Sequence, residues 1–467
     1  MKTKLILSVL TLSVCFKLLA QQSKFPDINT EFPLLWKVQM GNTTYRTNVL
    51  FTKEDLIIGS NGENYRDFYL DEKSGVYVID RTTGKIKTSF AGEDFGDMDV
   101  NGVLLHNNLL YFGNDNEEIL CTDLKGNIKW RKATSGDIEH EMVMINNKGN
   151  QYLVYGTETG EARAIRPGDG STVWTYYIPE FTGWKPNDSR FVFKVQAYFS
   201  NSEAFFTKPM LSDVNKDGVN DLIYNLYYGS TLILNGANGK ELTKIENTIY
   251  DKSEAFISHK KTNPIIMQVS SHTDVVNSKK GGTTYITKNK INCYNVKGKL
   301  LKAIELKSEY LGTGLNSLEL ANGELVIPFQ DSLLIIKKDG ICDFINKTIN
   351  CEILDWEKKK IKTSRNSSDP IIANRTFAYA GQPNCVAVLN QNDALFLQTG
   401  FIEVISLDTK KVIKRLQLPS SSEFAPVIED VNKDGRLDLL VNCRDGNLYC
   451  FDLKVPVNGN QKITASR

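Results

Sequence analysis

Two stretches of this 467-residue chain carry acids at a spacing that suits a hard cation: DVNKDGVNDLIY at 213–224 and DVNKDGRLDLLV at 430–441. Oxygens at alternate positions of a tight loop converge on one point, glycine permits the bend, and a backbone carbonyl fills a gap, which is how proteins hold calcium. The expected ligands in the first loop are Asp213, Asn215, Asp217, the carbonyl of Val219, and Asp221. In the second they are Asp430, Asn432, Asp434, the carbonyl of Arg436, and Asp438. Left bare, such carboxylates would repel one another. The expected cofactor is therefore calcium. Two eroded copies define its role. MVMINNKGNQYLVY (142–155) keeps Asn146 and Gly149 but puts Met144, Lys148 and Tyr152 where acids belong, and VLNQNDALFLQ (388–398) reads as a second worn copy. An ion kept by only some repeats is expected to stabilise particular loops and not to catalyse.

Little else in the chain has the spacing of a catalytic centre. The four histidines, His106, His140, His259 and His272, show no i, i+2 or i, i+4 pairing, so no zinc motif exists. His140-Glu141 lacks the second histidine of a metalloprotease helix, and His140 is expected to be an exposed structural residue. GxSxG, a phosphate loop and CxxC are all missing. Paired carboxylates cannot be picked out among 55 acids, because distance along the chain says little about proximity in space. Of the eight cysteines, Cys121, Cys293 and Cys450 fall at one repeat position where Val78 and Ala164 stand elsewhere, a small core site suited to buried reduced thiols. Cys342 and Cys351 are spaced for a bridge across a short loop, whereas Cys443 and Cys450 are out of register.

The elements that must carry these loops recur along the chain. GVYVIDRTTGKIKTSF (75–90), EILCTDLKGNIKWRKA (118–133), EARAIRPGDGSTVWTYYI (161–178), STLILNGANGKELTKIE (230–246), NKINCYNVKGKLLKAIEL (289–306) and FIEVISLDTKKVIKRLQL (401–418) share one plan. An alternating apolar run reaches Asp, Asn or Arg, a turn with Gly or Lys follows, and a second strand leaves. Residues 324–345 keep the strands with a weaker turn, and 438–453 lack the outgoing strand. That missing strand is matched by PLLWKVQM (33–40), whose Trp36 corresponds to Trp130 and Trp174. The expectation is an all-β propeller of eight four-stranded blades of about 54 residues, closed by the N-terminal strand, since an open ring would leave a sheet edge unpaired. Seven blades is the alternative if 308–360 is an insertion. Residues 178–205 and 355–380 read as long loops on one rim.

The small residue, acid, Thr-Gly-Lys turn and Trp of Val78–Lys85 and Ala164–Trp174 resemble the repeats of PQQ-like (quinoprotein-type) propellers across nearly the whole chain. Quinoprotein dehydrogenases of that fold hold their quinone against a disulfide between adjacent cysteines. This chain has no adjacent pair, so the resemblance implies the fold without the activity. The two acid loops resemble those of FG-GAP or VCBS repeats, which implies calcium at the ligands named above.

The first twenty residues, with Lys2 and Lys4 before an apolar run that finishes at Ala20, form an expected signal peptide, leaving one propeller domain over 21–455 and a disordered polar tail over 456–467. Lipid attachment at Cys15 is the alternative. No later stretch has the eighteen or so apolar residues of a membrane span, and 56 basic against 55 acidic residues offer no field for nucleic acid. The expected location is secreted or periplasmic. Surface aromatics at Tyr65, Phe68, Tyr69, Tyr176, Tyr177, Phe181 and Trp184 would suit a protein or a glycan equally. The leading reading is an exported, non-catalytic binding protein that meets its protein or glycan partner at one rim. A glycan-active lyase or hydrolase is the alternative, and a degenerate quinoprotein the third.

Overall fold

The computed structural model describes residues 32–62, 72–90, 98–179, 204–226, 230–246, 252–257, 264–277, 283–306, 318–319, 325–328, 332–336, 351–355, 377–381, 385–392, 399–406, 411–420 and 422–457. Residues 1–20 with Cys15, most of both long rim loops, Cys342, Tyr65, Phe68, Tyr69, Phe181, Trp184, His259 and the tail beyond 457 lie outside them. Among the described residues there is no helix.

Strand β1 (Leu34–Gln39) is followed by a first sheet of β2 (Val49–Phe51), β3 (Asp55–Asn61), β4 (Ser74–Asp80) and β5 (Ile86–Phe90). The second holds β6 (Val103–His106), β7 (Leu109–Asn114), β8 (Glu118–Asp123) and β9 (Ile128–Ala133). The third holds β10 (Val143–Asn147), β11 (Asn150–Gly156), β12 (Glu161–Ile165) and β13 (Thr172–Tyr177). The fourth holds β14 (Met210–Ser212), β15 (Asp221–Asn225), β16 (Thr231–Leu234) and β17 (Glu241–Ile245). The fifth holds β18 (Lys252–Ile257), β19 (Ile265–Asn277), β20 (Thr283–Asn295) and β21 (Leu300–Leu306). The sixth, β22 (Leu318–Glu319), β23 (Leu325–Pro328), β24 (Ser332–Ile336) and β25 (Cys351–Asp355), forms from the stretch with the weakest repeat signal. The seventh holds β26 (Phe377–Gly381), β27 (Cys385–Asn392), β28 (Thr399–Ser406) and β29 (Lys411–Gln417). The eighth is β30 (Val427–Glu429), β31 (Arg436–Asn442) and β32 (Asn447–Pro456), completed by β1 on its outer edge. There Trp36 stands opposite Cys450 and Val38 opposite Leu448, so the N-terminal strand joins the last sheet as its sequence pattern requires.

The cores lie between sheets. Ile57, Val76 and Val78 of the first meet Leu110, Phe112 and Leu120 of the second, while Trp36, Leu440 and Leu448 of the eighth meet Leu56, Ile58 and Ile79 of the first. Burying each such side chain contributes about 1.5–3 kcal/mol. The second and third strands are therefore apolar on both faces, and outer strands such as β9 are largely exposed.

The turn between third and fourth strands is built the same way in several sheets. In the first, Asp80 Oδ1 accepts from the amides of Thr82 and Thr83 at 3.1 and 2.9 Å, and Gly84 closes the turn at φ 70°, where glycine is at ease. The outer-strand aromatic of the preceding sheet covers that turn. Trp36 Nε1 donates to the Arg81 carbonyl at 3.1 Å, Trp130 Nε1 to Pro167 at 2.9 Å and Trp174 Nε1 to Gly236 at 3.0 Å. Opposite those three indoles stand Cys450, Cys121 and Ala164, small residues in each case. Cys121, Cys293, Cys443 and Cys450 are buried and unbridged.

Candidate functional sites on the two faces

A four-stranded antiparallel meander puts its connections on two faces alternately. The first-to-second and third-to-fourth connections share one face, called here the loop face. The second-to-third connections and the passages between sheets share the other, the hairpin face.

Both predicted calcium loops lie on the loop face, joining β14 to β15 and β30 to β31. In the first, Asp213 accepts from the amides of Asp217 and Gly218 at 3.0 Å each. Asn215 Oδ1 accepts from the amide of Asp217, and Asp217 Oδ1 from that of Val219, both at 2.9 Å. Asp221, fully buried, accepts from the amides of Val214 and Asn215 at 2.9 and 3.2 Å. The second loop repeats five of these six bonds, without the one from the Asp434 amide to Asp430. Asp438 accepts from Val431 and Asn432 at 2.9 and 3.2 Å, Asp430 from Gly435 at 3.1 Å, Asn432 from Asp434 at 2.9 Å, and Asp434 from the amide of Arg436 at 2.9 Å. Burial pushes Asp221 up to about 6 and Asp438 up to about 7.

The loops differ in what remains over. Asp430 Oδ1 and Asp438 Oδ1 are buried without a hydrogen-bond partner, and no oxygen of the first loop is in that state. Among the described residues, no three His, Cys, Asp or Glu side chains converge closely enough to hold an ion by themselves. The expected donor set also uses an asparagine and a carbonyl, and the two orphaned carboxylate oxygens fit a cation in the second loop. Of the worn copies, 142–155 does occupy the first-to-second connection of its sheet. By contrast, 388–398 begins inside β27 and runs past its end, so it is a second-strand segment and not a relic of the loop.

On the hairpin face, Asp137, Glu139 and Glu141 of the passage into the third sheet gather with Glu117 and Glu158 from the second-to-third connections of the second and third sheets. Arg46, ahead of β2, donates to Glu139, ahead of β10, at 2.5 Å, and its guanidinium lies 4.5 Å from the ring centre of Phe206, ahead of β14. Asn101 donates to Glu139 at 2.6 Å and accepts from Thr44 at 2.7 Å, and Lys208 pairs with Glu141 at 2.6 Å. Four inter-sheet passages thus meet through one arginine and one glutamate. Beside them, burial and then the neighbouring Glu158 and Glu139 hold Asp137 well above the usual carboxylate range. Glu158 is raised by burial and Glu139. His140 is not exposed as expected: it is 2% exposed, bonds the Glu141 carbonyl through Nδ1 at 2.8 Å, and burial lowers it to about 4. Of the predicted surface aromatics, Tyr177 is 61% exposed, whereas Tyr176 is half-buried and donates to Glu241 at 2.6 Å. Sequence reading missed this acid group because Asp137, Glu139 and Glu141 of one passage meet Glu158, which lies in a different connection.

These sheets, their turns and the strand exchange between ends define a β-propeller. Similar solved structures agree on the fold: BamB from Moraxella catarrhalis (12% identity, 91% of this chain and 98% of that one, TM-score 0.53) and the Dos1 propeller (10%, 91% and 96%, 0.56). A quinohemoprotein alcohol dehydrogenase from Pseudomonas putida is similar at 11% identity over 93% of this chain and 78% of that one, with TM-score 0.52. No family model and no curated protein matches the sequence. Among the described residues no helix is long and apolar enough to cross a membrane.

Proposed function

We propose that this chain is an exported, non-catalytic propeller that binds a partner protein on its hairpin face and holds structural calcium on its loop face. The observation that carries the binding reading is the group formed by Arg46, Asn101, Glu139 and Asp137, in which inter-sheet passages are locked together beneath an acidic surface. A rigid, charged platform loses little freedom on binding and favours a basic partner surface. Calcium would be held by Asp430, Asn432, Asp434, the Arg436 carbonyl and Asp438, and by Asp213, Asn215, Asp217, the Val219 carbonyl and Asp221. The orphaned oxygens of Asp430 and Asp438 support the second loop as the tighter of the two.

The test is capture from an envelope extract with residues 21–467 as bait, beside a Glu117→Lys, Glu158→Lys variant. One protein retained by the wild type and lost from the charge-reversed variant is the expected result. Equal retention by both would remove the acidic face from the reading.

One observation favours a glycan-active enzyme as the second reading. Asp137 and Glu158 form a carboxyl pair with a raised titration, the condition a general acid needs. Depolymerisation of a polysaccharide, abolished by Asp137→Asn, would establish it.

A further inference from the structure

Arg81 and Val296 hold the same position in two turns. Each follows the first turn residue, and its carbonyl accepts a bond from the outer strand of the preceding sheet: Trp36 Nε1 for Arg81, and Thr243 Oγ1 at 2.6 Å for Val296. Each also stands next to an acid loop of that preceding sheet. Val296 packs against the apolar cluster that contains Val214, so this side chain brings an apolar contact and no charge to the first loop. At the second loop the contact is a guanidinium. Arg81 Nε donates to the Val431 carbonyl at 2.5 Å, Nη2 to the Asp430 carbonyl at 2.6 Å and Nη1 to the Thr52 carbonyl at 2.9 Å. Lys433 Nζ reaches back to the Lys53 carbonyl.

The loop 430–438 is therefore gripped by the first sheet at the junction where the ring must shut, and Asp430 and Asp438 still carry buried oxygens with no donor. Arg436 meets Asp434 at 2.6 Å and Asp452 at 3.1 Å, leaving Asp430 and Asp438 without a salt bridge of their own among the described residues. Among the described residues, the oxygens of loop 213–221 accept within their own sheet, from the loop's own amides, from Asn235 at 2.7 Å and from Gly236 at 3.3 Å.

We infer that loop 430–438 is a cation-operated lock on ring closure, in which a bound ion sets the backbone that Arg81 grips, while an ion at loop 213–221 leaves that junction unchanged. The inference rests on the calcium reading above. Coupling of this kind is reciprocal: the grip of Arg81 raises ion affinity by the factor by which the ion tightens the junction.

Hydrogen exchange of the full chain tests it, read at the amides of 34–39 and 448–453, with calcium titration calorimetry run in parallel. Saturating calcium is expected to slow exchange there on the order of tenfold relative to chelator. Asp438→Asn is expected to abolish that difference and Asp221→Asn to leave it. Arg81→Met should still bind calcium, more weakly, but without the effect on 34–39. If that variant does not fold, Arg81→Lys, which keeps the charge but not the fork, should show a reduced effect. Calcium bound through Asp438 with no change in exchange at the junction would overturn the lock and leave the calcium reading standing. No heat of calcium binding would remove both.

Discussion

Trp174 lies across Gly239 of the next sheet so closely that a Cβ on that glycine would come within 2.5 Å of the indole. The same indole donates to the carbonyl of Gly236, three residues earlier in the turn, so ring and turn are fixed together. Gly239 also sits at φ 72°, where an L side chain is strained. Gly239→Ala is expected to destabilise the protein by about 2–4 kcal/mol, from overpacking and backbone strain together. Gly149, at φ 92° with open space around it, is the control. There Ala should cost only about 1 kcal/mol. Denaturant melts of both variants measure the difference.

Calcium removal should lower the melting temperature, and Asp438→Asn should reverse its effect with conditions. With calcium present the variant loses a ligand and melts earlier than wild type. In chelator it is relieved of a buried, unpartnered carboxylate oxygen and melts no earlier. A single sign in both conditions would count against an ion at this loop.

Asp137 and Glu158 give stability a pH dependence. Both folded titrations are raised, so the folded state binds more protons than the unfolded one from about pH 4 upward until both carboxyls have ionised. Their contribution is present at low pH and is lost as pH rises through that window. Asp137→Asn should flatten this slope and gain about 1 kcal/mol at pH 8, a figure reduced for partial solvent screening. Melts at pH 5 and pH 8 read it directly.

The thiols of Cys121, Cys293, Cys443 and Cys450 should be silent in the native protein. Cys293 and Cys443 are pushed up to about 12 by burial, and Cys121 and Cys450 are raised by the same cause. A thiol reagent is expected to label all four only at the rate of unfolding. Rapid labelling of any of them without denaturant would show a local opening.

Much of this was written in the chain. An Asp or Asn before most turns, a glycine in most of them and the outer tryptophans recur with the repeat, so Trp36 could be paired with the last sheet from its likeness to Trp130 and Trp174 alone. The two acid loops were legible because all their polar atoms come from nine consecutive residues. What escaped was whatever joins distant stretches. Arg81 looks like an ordinary turn residue until the loop at 430 lies beside it. His140 looked exposed because its burial comes from Tyr224 and from passages far along the chain. The carboxyl pair of Asp137 and Glu158 is a product of stacking one sheet on the next, and strand periodicity carries no trace of it.

The bond between Thr43 and Asn442 spans 399 residues, and the pairing of β1 with β32 is of the same kind. On the ribosome, β1 is made long before its partner β32. Until then its edge has nothing native to pair with, and a stranger's strand is as good a match. Adding sheets one by one brings the molecule no nearer to having both ends covered, so the final joining is a single late event. Moving the termini to a hairpin elsewhere in the ring would keep every contact of the native state and change only when that event happens.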